Sequence, residues 1–470
     1  MSLFPSQKMD QVALCMEAGD WSYGQLQKHA ENIASAVGGR TLVFLLCSNT
    51  PESIAAYVGF LNHGIVPAMI DGEIDEELLA QLVEMYHPAY VWSPERRKKE
   101  FSSFDEKFSL DDYVLLADKE PQAPELYPDL ALLMTTSGST GSPKFVRLSY
   151  ENIRANTESI VAYLGIDEYE RAITNLPMHY VYGLSIINTH LYTGASIVVT
   201  EKTLFQKEFW QLFKEKKVTG FGGVPYTFEM LERLRFFRMN LPNLRTITQA
   251  GGKLDPELHQ KFASYCEKNG KRFFVMYGAS EATARMGYLP AEESLRKIGC
   301  MGIVIPGGIF ELWDDEGNKI ELSGQVGELV YHGKNVMLGY AEQRDDLIKG
   351  DELDGILVTG DLAKRDEEGF YTIVGRKKRF LKMFGKRTNL EEVEHILRQH
   401  FDSADVACGG VDDHLCVCVV DDRMERDVVP YLSAKLGLHP SGLYVKRINE
   451  IPKNSSGKTL YRELEKYYDK

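Results

Sequence analysis

The sequence feature that most restricts the fold lies between residues 130 and 164. The apolar run LALLMTT at residues 130–136 is typical of a buried β-strand, and YENIRANTESIVAYL at residues 150–164 has the periodicity of an amphipathic helix. Small and polar residues, SGSTGSP, separate the two segments. We therefore expect a strand, a loop of the size that binds phosphate, and a helix, which together form the basic unit of an α/β fold.

The same alternation of helical and strand patterns continues through most of the chain. Helical YGQLQKHAENIASAV precedes the apolar runs LVFLLC and AYVW, and a second series runs from Arg171 to FFVMYGASE. After Gly299 the pattern changes to short strands joined by acidic and glycine-containing turns, which predicts an appended β-barrel-like subdomain. Because 470 residues are too many for one ordinary core, we expect two domains, residues 1–378 and residues 379–470.

Charge and cysteine usage narrow the class of function. Lys and Arg total 54 against 68 Asp and Glu, and the formal net charge of -14 disfavours binding to nucleic acid. The seven cysteines form no CxxC pair, and the spacing of Cys416 and Cys418 places both on one face of a strand as small core residues. The N-terminus lacks the pattern of a signal peptide, and no apolar run of about 18 residues could span a membrane. We expect a cytoplasmic enzyme.

The loop at residues 135–144, TTSGSTGSPK, combines hydroxyl groups, unobstructed backbone N–H groups and the ammonium of Lys144. A polyphosphate needs these groups, so the loop supplies a set of candidate phosphate ligands: Thr136, Ser137, Ser139, Thr140, Gly141 and Lys144. The loop is not a Walker sequence, because Lys144 stands between Pro143 and Phe145. The later GKT at 457–459 fails the same test, since Pro452 occupies the first glycine position. A P-loop kinase is excluded.

The loop TTSGSTGSPK resembles the phosphate-loop signature of the adenylate-forming superfamily, which includes acyl-CoA synthetases, adenylation domains and luciferases. Residues 277–281, YGASE, are similar to the YGxTE motif of that superfamily. The resemblance implies that Tyr277 stacks on adenine beside Gly278. It also implies that the Ser280 hydroxyl lies near phosphate and that Glu281 is a catalytic residue that holds Mg²⁺.

Two further segments extend the resemblance toward the C-terminus. Residues 359–361, TGD, and 375–376, GR, resemble motifs in which the Asp361 carboxylate and the Arg376 guanidinium reach the ribose. Residues 452–458, PKNSSGK, are similar to the motif that bears the catalytic lysine, here Lys458. Where the family commonly has Asp or Lys at the hinge between domains, this chain has Arg379.

The resemblance implies an enzyme that uses ATP and Mg²⁺ to convert a small carboxylic acid into an acyl-adenylate and then passes the acyl group to a thiol. The thiol is that of CoA, as in an acyl- or aryl-CoA synthetase, or the phosphopantetheine of an acyl carrier protein. The segment KRTNLEEVE at 386–394 is closer to carrier-protein ligases than to CoA ligases, which leaves the acceptor open. The third alternative is a luciferase-like protein or another member of the superfamily that forms no thioester. The sequence does not give the oligomeric state.

The implied fold is α/β: a large N-terminal domain of two doubly wound α/β layers with the β-barrel-like subdomain, and a small mobile α+β C-terminal domain. This C-terminal lid would bring Lys458 to the adenylation reaction and then rotate for thioester formation.

The nature of the acid is indicated by PMHYVYG at residues 177–183. Members of the superfamily that activate amino acids usually carry an Asp here, because the α-ammonium group of the substrate must be neutralised inside its pocket. This segment has no carboxylate and resembles the version found in acyl and aryl acid ligases, so the resemblance implies an acid without an α-amino group. His179 is then a catalytic candidate near the substrate carboxylate, or else a buried histidine that donates to backbone. The resemblance implies that Gly251 borders the acyl and nucleotide pockets. Lys253 and Arg285 either meet a second anionic group of the substrate or are ordinary surface charges.

Overall fold

The structure is a computed structural model that describes residues 9–135, 144–384, 386–401, 404–453 and 459–468 of the chain. By its internal contacts the chain divides into two compact units. The first unit holds the described residues as far as Thr135, those from Lys144 to Phe310, and Tyr331–Leu357. The second holds Glu311–Val330 and the described residues from Val358 onward. A domain boundary near residue 378 stays a prediction.

The strands of the described residues are short and are numbered here in chain order. The first thirteen are β1 (Val12–Cys15), β2 (Trp21–Ser22), β3 (Leu42–Cys47), β4 (Val66–Asp71), β5 (Tyr90–Pro94), β6 (Phe104–Leu110), β7 (Tyr113–Asp118), β8 (Leu130–Thr135), β9 (Phe145–Ser149), β10 (Arg171–Ile173), β11 (Ser196–Val198), β12 (Gly220–Gly223) and β13 (Thr246–Gln249). The others are β14 (Arg272–Tyr277), β15 (Gly287–Leu289), β16 (Ile303–Val304), β17 (Ile309–Trp313), β18 (Val326–His332), β19 (Gly339–Ala341), β20 (Ile356–Arg365), β21 (Tyr371–Arg376), β22 (Phe380–Met383), β23 (Lys386–Asn389), β24 (Val406–Val411), β25 (His414–Val419) and β26 (Leu443–Arg447).

The helices alternate with these strands. In the described residues they are α1 (Tyr23–Val37), α2 (Pro51–Asn62), α3 (Glu76–Tyr86), α4 (Tyr150–Leu164), α5 (Val181–Thr193), α6 (Lys207–Glu215), α7 (Pro225–Arg233), α8 (Pro256–Lys268), α9 (Leu390–His400), α10 (Asp422–Leu436) and α11 (Tyr461–Leu464). Helix α1 begins after Ser22, which exchanges hydrogen bonds with Gln25 in a capping box, and ends at Gly38 with a φ of 82°. These local signals fix its bounds. No helix of the described residues is both long and apolar enough to cross a membrane.

Two sheets form the first unit. One has eight strands in the order β19-β9-β8-β4-β3-β5-β7-β6, and the other has nine in the order β16-β15-β14-β13-β12-β10-β11-β1-β2. Their central strands are parallel, and all six residues of β3 are buried, as expected for a strand covered on both faces. One apolar cluster joins residues of β1, β3, α1, α2 and α5 into a common core. The predicted α/β class and layered N-terminal domain are confirmed.

The remaining strands form smaller sheets: a four-stranded one in the order β17-β18-β20-β21, a two-stranded one, β22-β23, and a three-stranded one in the order β24-β25-β26. In β25, Leu415, Val417 and Val419 belong to one apolar cluster with residues of α9 and α10. The intervening Cys416 and Cys418 belong to a second cluster. Their prediction as small core residues on one face of a strand is confirmed, because they are 2% and 0% exposed.

Candidate functional site

The loop predicted to bind phosphate joins two antiparallel strands. Strand β8 ends at Thr135, and β9 begins at Phe145 and pairs with it. The expected passage from strand through loop to helix is therefore wrong, since a second strand precedes α4. The sequence pattern did not indicate this strand, because FVRLS is short and all five of its residues are buried. Five of the candidate phosphate ligands lie outside the described residues: Thr136, Ser137, Ser139, Thr140 and Gly141.

Strand β9 carries a buried arginine that the sequence analysis missed. The side chain of Arg147 is 0% exposed and forms an ion pair with Glu352. Its guanidinium also donates to the carbonyl oxygens of Tyr340, at 3.1 Å, and Leu338, at 3.2 Å. Because β19 pairs with β9, Tyr340 lies opposite Val146. The arginine therefore fixes Tyr340 beside the strand that follows the loop.

Lys144, Glu281 and Tyr340 form a cluster that we call the Tyr340 cluster. The Tyr340 hydroxyl donates to Oε1 of Glu281 at 2.7 Å. The Lys144 Nζ lies over the same ring, 3.6 Å from its centroid. Burial raises the pKa of Tyr340, and the neighbouring Glu281 charge raises it further, so the phenol stays protonated and donates. The structure thus brings the predicted phosphate-binding lysine and the predicted metal-binding carboxylate to one side chain.

The YGASE segment places Glu281 by means of a close backbone approach. Tyr277 ends β14 and is half-buried, with its ring 6.4 Å from that of Phe310. A Cβ added at Gly278 would lie 1.6 Å from the carbonyl oxygen of Ala284, so only glycine fits there. Residues Ser280–Ala282 then form a single 3-10 turn. The motif is therefore needed for the shape of the turn as well as for its side chains.

His179 and Gly251 lie in the same unit near the start of α5. The His179 side chain is 14% exposed, and its Nε2 lies 3.6 Å from Oδ2 of Asp71 at the end of β4. Burial lowers the pKa of His179, while the Asp71 charge opposes that shift, so the imidazole is neutral near pH 7. At Gly251, where φ is 86°, an added Cβ would lie 2.6 Å from the Tyr180 hydroxyl oxygen. Gly251 therefore adjoins the residue that follows His179.

In the second unit, Asp361 and Arg376 face each other across β20 and β21. Arg376 Nε lies 3.3 Å from Oδ1 of Asp361, and the arginine is 64% exposed. The backbone N–H of Asp361 donates to the Thr359 hydroxyl at 3.1 Å, and that hydroxyl donates to the Leu329 carbonyl at 2.7 Å. Gly360 has a φ of 71°, which favours glycine between them. The TGD motif is thus a fixed turn that holds its carboxylate beside an arginine.

The predicted hinge residue Arg379 lies within the second unit, with its side chain 12% exposed. Its guanidinium donates to Oε1 of Glu394 at 2.6 Å and to the Cys408 carbonyl at 2.7 Å, and lies 3.7 Å from the ring centroid of Tyr461. Tyr461 in turn donates to Glu394 at 3.0 Å. Arg379 therefore anchors the end of the β-rich segment to the C-terminal core. Lys458 lies outside the described residues.

The structure excludes one of the two alternatives for Arg285 and neither of them for Lys253. Arg285 was expected either to meet a substrate anion or to be a surface charge, and at 2% exposure it is not a surface charge. Lys253 is exposed. The parts of the chain described here contain no group of three His, Cys, Asp or Glu side chains arranged to hold a metal ion.

Comparison with known proteins adds to this geometry. A family model described as AMP-binding enzyme matches residues 4–341. A long-chain-fatty-acid–CoA ligase of Escherichia coli O157:H7 is 30% identical over 360 residues, which cover 73% of this chain and 62% of that protein. An indoleacetate–CoA ligase of Aromatoleum aromaticum is 26% identical over 477 residues, covering 93% and 91%. ATP-bound MatB from Rhodopseudomonas palustris has a TM-score of 0.81 at 21% identity, covering 99% and 98%.

The two α/β sheets have the fold of MatB, and at 21% identity this likeness concerns the fold alone. The chain belongs to the AMP-binding enzyme family, because the family model matches well over half of it. The resemblance stated from the motifs is confirmed. The matching segment spans 62% of the length of the Escherichia coli ligase, which is less than two thirds.

Proposed function

We propose that the protein is an ATP-dependent carboxylic acid ligase that forms an acyl-adenylate and then a thioester with CoA. The observation that carries this proposal is the Tyr340 cluster, in which a carboxylate and an ammonium meet at one tyrosine. Attack of a carboxylate on the α-phosphorus of ATP brings anions together, so such a site needs positive charge where negative charge grows. Lys144 supplies that charge from the chain itself.

Mg²⁺ is the metal that fits this site. Mg²⁺ prefers oxygen ligands and is commonly held by one or two carboxylates together with phosphate oxygens and water. A single oriented carboxylate, Glu281, matches that donor set. Bound there, the ion would neutralise charge on the phosphates. Tyr340 would direct the carboxylate, and Lys144 would hold a phosphate oxygen.

The remaining candidates take the roles that the family resemblance implies. Tyr277 stacks on adenine, and Asp361 and Arg376 bind the ribose. Lys458 stabilises charge during adenylation, on a mobile C-terminal lid. His179, neutral and partly buried beside Asp71, contacts the substrate carboxylate without adding charge. We propose a cytoplasmic location and an acid without an α-amino group.

The experiment is ATP–pyrophosphate exchange over a panel of fatty, aryl and hydroxy acids and amino acids, with and without Mg²⁺. We expect Mg²⁺-dependent exchange with non-amino acids, and a loss of more than tenfold in Lys144→Ala, on the scale of one charge-assisted contact. Lys334→Ala is the matched control, since Lys334 is 75% exposed and pairs with Glu151. No exchange with any acid, or exchange driven best by amino acids, would contradict the proposal.

The acceptor is tested by repeating the productive reaction with CoA and with a carrier protein bearing phosphopantetheine. The carrier protein is the second candidate, because Leu390, Glu391 and Glu392 resemble ligases of that kind. These residues begin α9, where the Asn389 side chain caps the helix. Thioester formed with CoA at a low concentration, and not with the carrier protein, supports the CoA ligase, and the reverse result supports the alternative.

A further inference from the structure

A cavity lies in the first unit beneath helices α4 and α5. The room for the centres of water molecules inside it is about 40 Å³, where a single water needs about 10–15 Å³. Most of its wall is apolar, including the side chains of Ile160, Leu164, Ala172, Ile173, Ile186 and Phe221. It therefore accommodates a compact group of about three heavy atoms that leaves little water behind.

Arg285 is the exception in this apolar wall. Its guanidinium is buried and contacts neutral groups: the Tyr163 hydroxyl at 3.2 Å, the Ser185 hydroxyl at 3.1 Å and the sulfur of Met276. It also lies 4.4 Å from the ring centroid of Tyr182. Its Nε has no hydrogen-bond partner among the residues that the structure describes. Among the described residues no Asp or Glu forms an ion pair with it, although a buried charge normally requires one.

The other ionisable groups of the cavity do not leave an unbalanced charge. Glu170 lies 3.6 Å from Arg245 and 4.0 Å from Arg272, so its charge is compensated by these arginines. His190 donates from Nδ1 to the Ile186 carbonyl at 2.8 Å, and burial lowers its pKa, so it is neutral near pH 7. Arg285 is therefore the cation of this wall that lacks an anion within the described part of the chain.

The backbone before Arg285 is held in an uncommon conformation. Thr283 and Ala284 have φ values of 58° and 133°, which few residues other than glycine adopt. Asn335 holds this turn, because its Nδ2 donates to the carbonyls of Ala282 at 2.8 Å and Arg285 at 3.0 Å. The Thr283 hydroxyl donates back to the Asn335 carbonyl at 2.7 Å. The arginine is thus presented to the cavity by a fixed turn, directly after the Glu281 segment.

From the cavity and the unpaired guanidinium we infer that Arg285 binds a second carboxylate on the acid that is activated. This inference rests on the proposed function and names its substrate class: a dicarboxylic acid, one end of which reacts while the other pairs with Arg285. A carboxylate has three heavy atoms, which matches the cavity, and the planar guanidinium offers its free Nε–H to an oxygen. A substrate ending in a methyl group would leave the buried charge unpaired.

The test uses succinate, glutarate and adipate as probes, each with its monoamide and the monocarboxylic acid of equal length. Pyrophosphate exchange measures activation, and titration calorimetry measures binding without any reaction. We expect the wild type to favour at least one dicarboxylic acid over both partners by roughly 10²-fold or more, as in sites built to hydrogen-bond one group. Arg285→Met should abolish that preference, and Arg285→Lys should retain part of it. Arg245→Met is the control, because Arg245 is 56% exposed and already pairs with Glu170.

The outcomes separate this inference from the proposed function. In one outcome, exchange at every chain length is as fast with the monocarboxylic acid or the monoamide as with the dicarboxylic acid, and is unchanged in Arg285→Met. That result would overturn the inference and leave the ligase function standing. Binding of a dicarboxylic acid that is lost in Arg285→Met, without exchange by any acid, would support a carboxylate site at Arg285 but refute activation of that acid, and with it the ligase. Absence of dicarboxylic acid binding to the wild type would overturn the inference. A thermal unfolding midpoint of Arg285→Met near that of the wild type shows that the variant is folded.

Discussion

The hydrogen bond from Tyr340 to Glu281 gives the most specific test of the proposed metal site. Tyr340→Phe removes the hydroxyl and keeps the ring that lies under Lys144. The lost contact is an O–H donor 2.7 Å from a carboxylate, and hydrogen bonds to charged groups contribute about 1.5–3 kcal/mol. Groups that orient a metal ligand typically change metal affinity or activity by about 10- to 100-fold.

We therefore expect Tyr340→Phe to raise the Mg²⁺ concentration for half-maximal pyrophosphate exchange by about 10- to 100-fold. The matched control is Tyr86→Phe, whose buried hydroxyl donates to the carbonyl of Ala341 at 2.8 Å, one residue from Tyr340. Both variants lose a hydrogen bond, so both should lose about 1 kcal/mol or somewhat more of stability. The control should keep the wild-type dependence on Mg²⁺.

Two results would refute this reasoning. If Tyr340→Phe had the Mg²⁺ dependence of the wild type, the hydroxyl would not orient a metal ligand. If Tyr86→Phe showed the same shift, the effect would come from general destabilisation around β19. A third variant, Tyr340→Leu, also removes the ring beneath Lys144 and should further weaken ATP binding, since a cation over an aromatic face gains about 0.5–2 kcal/mol.

Three further predictions concern other parts of the chain. Arg379→Met should destabilise the C-terminal core by about 3 kcal/mol in denaturant unfolding, because the buried Glu394 would keep only the more exposed Arg398, at 3.7 Å, as an ionic partner. The double variant with Glu394→Gln should recover part of the loss, and an unchanged midpoint in Arg379→Met would contradict the role of the Arg379–Glu394 pair. Burial lowers the pKa of His259 from 6.5 to about 4, so the folded protein holds this imidazole neutral while the unfolded chain protonates it below pH 6.5. The free energy of unfolding should therefore fall by about 3 kcal/mol as the pH is lowered from above 6.5 toward 4. His259→Gln should remove this pH dependence, and an equal dependence of the unfolding free energy on pH in both proteins would disprove the assignment. Lys458→Ala should lower the rate of adenylation by about two to three orders of magnitude, yet still convert a supplied acyl-adenylate to thioester. If a folded variant lost both steps equally, the hypothesis that Lys458 acts in only one orientation of the lid would be wrong.

Local signals in the sequence were sufficient for several elements. The two predicted helical segments coincide with α1 and α4, because each has its own cap and apolar periodicity. Helix α4, for example, begins after the capping pair Ser149 and Asn152 and ends at Gly165. The turn formed by YGASE also depends on nearby residues, because its glycine is required by a close approach of the backbone at Ala284. Family membership also followed from these short motifs.

The sequence by itself determined the α/β class, these helices and the identity of the motif residues, since each depends on neighbours a few positions away. Tertiary structure decided that β9 is a strand and that Tyr340 joins Lys144 to Glu281. It also decided that Arg285 is buried with no Asp or Glu of the described residues paired to it. The Glu281 and Tyr340 side chains are 59 residues apart in sequence, and Arg147 and Glu352 are 205 apart. Such pairs form only when separate strands enter one sheet, because pairing depends on register and packing that no single segment encodes.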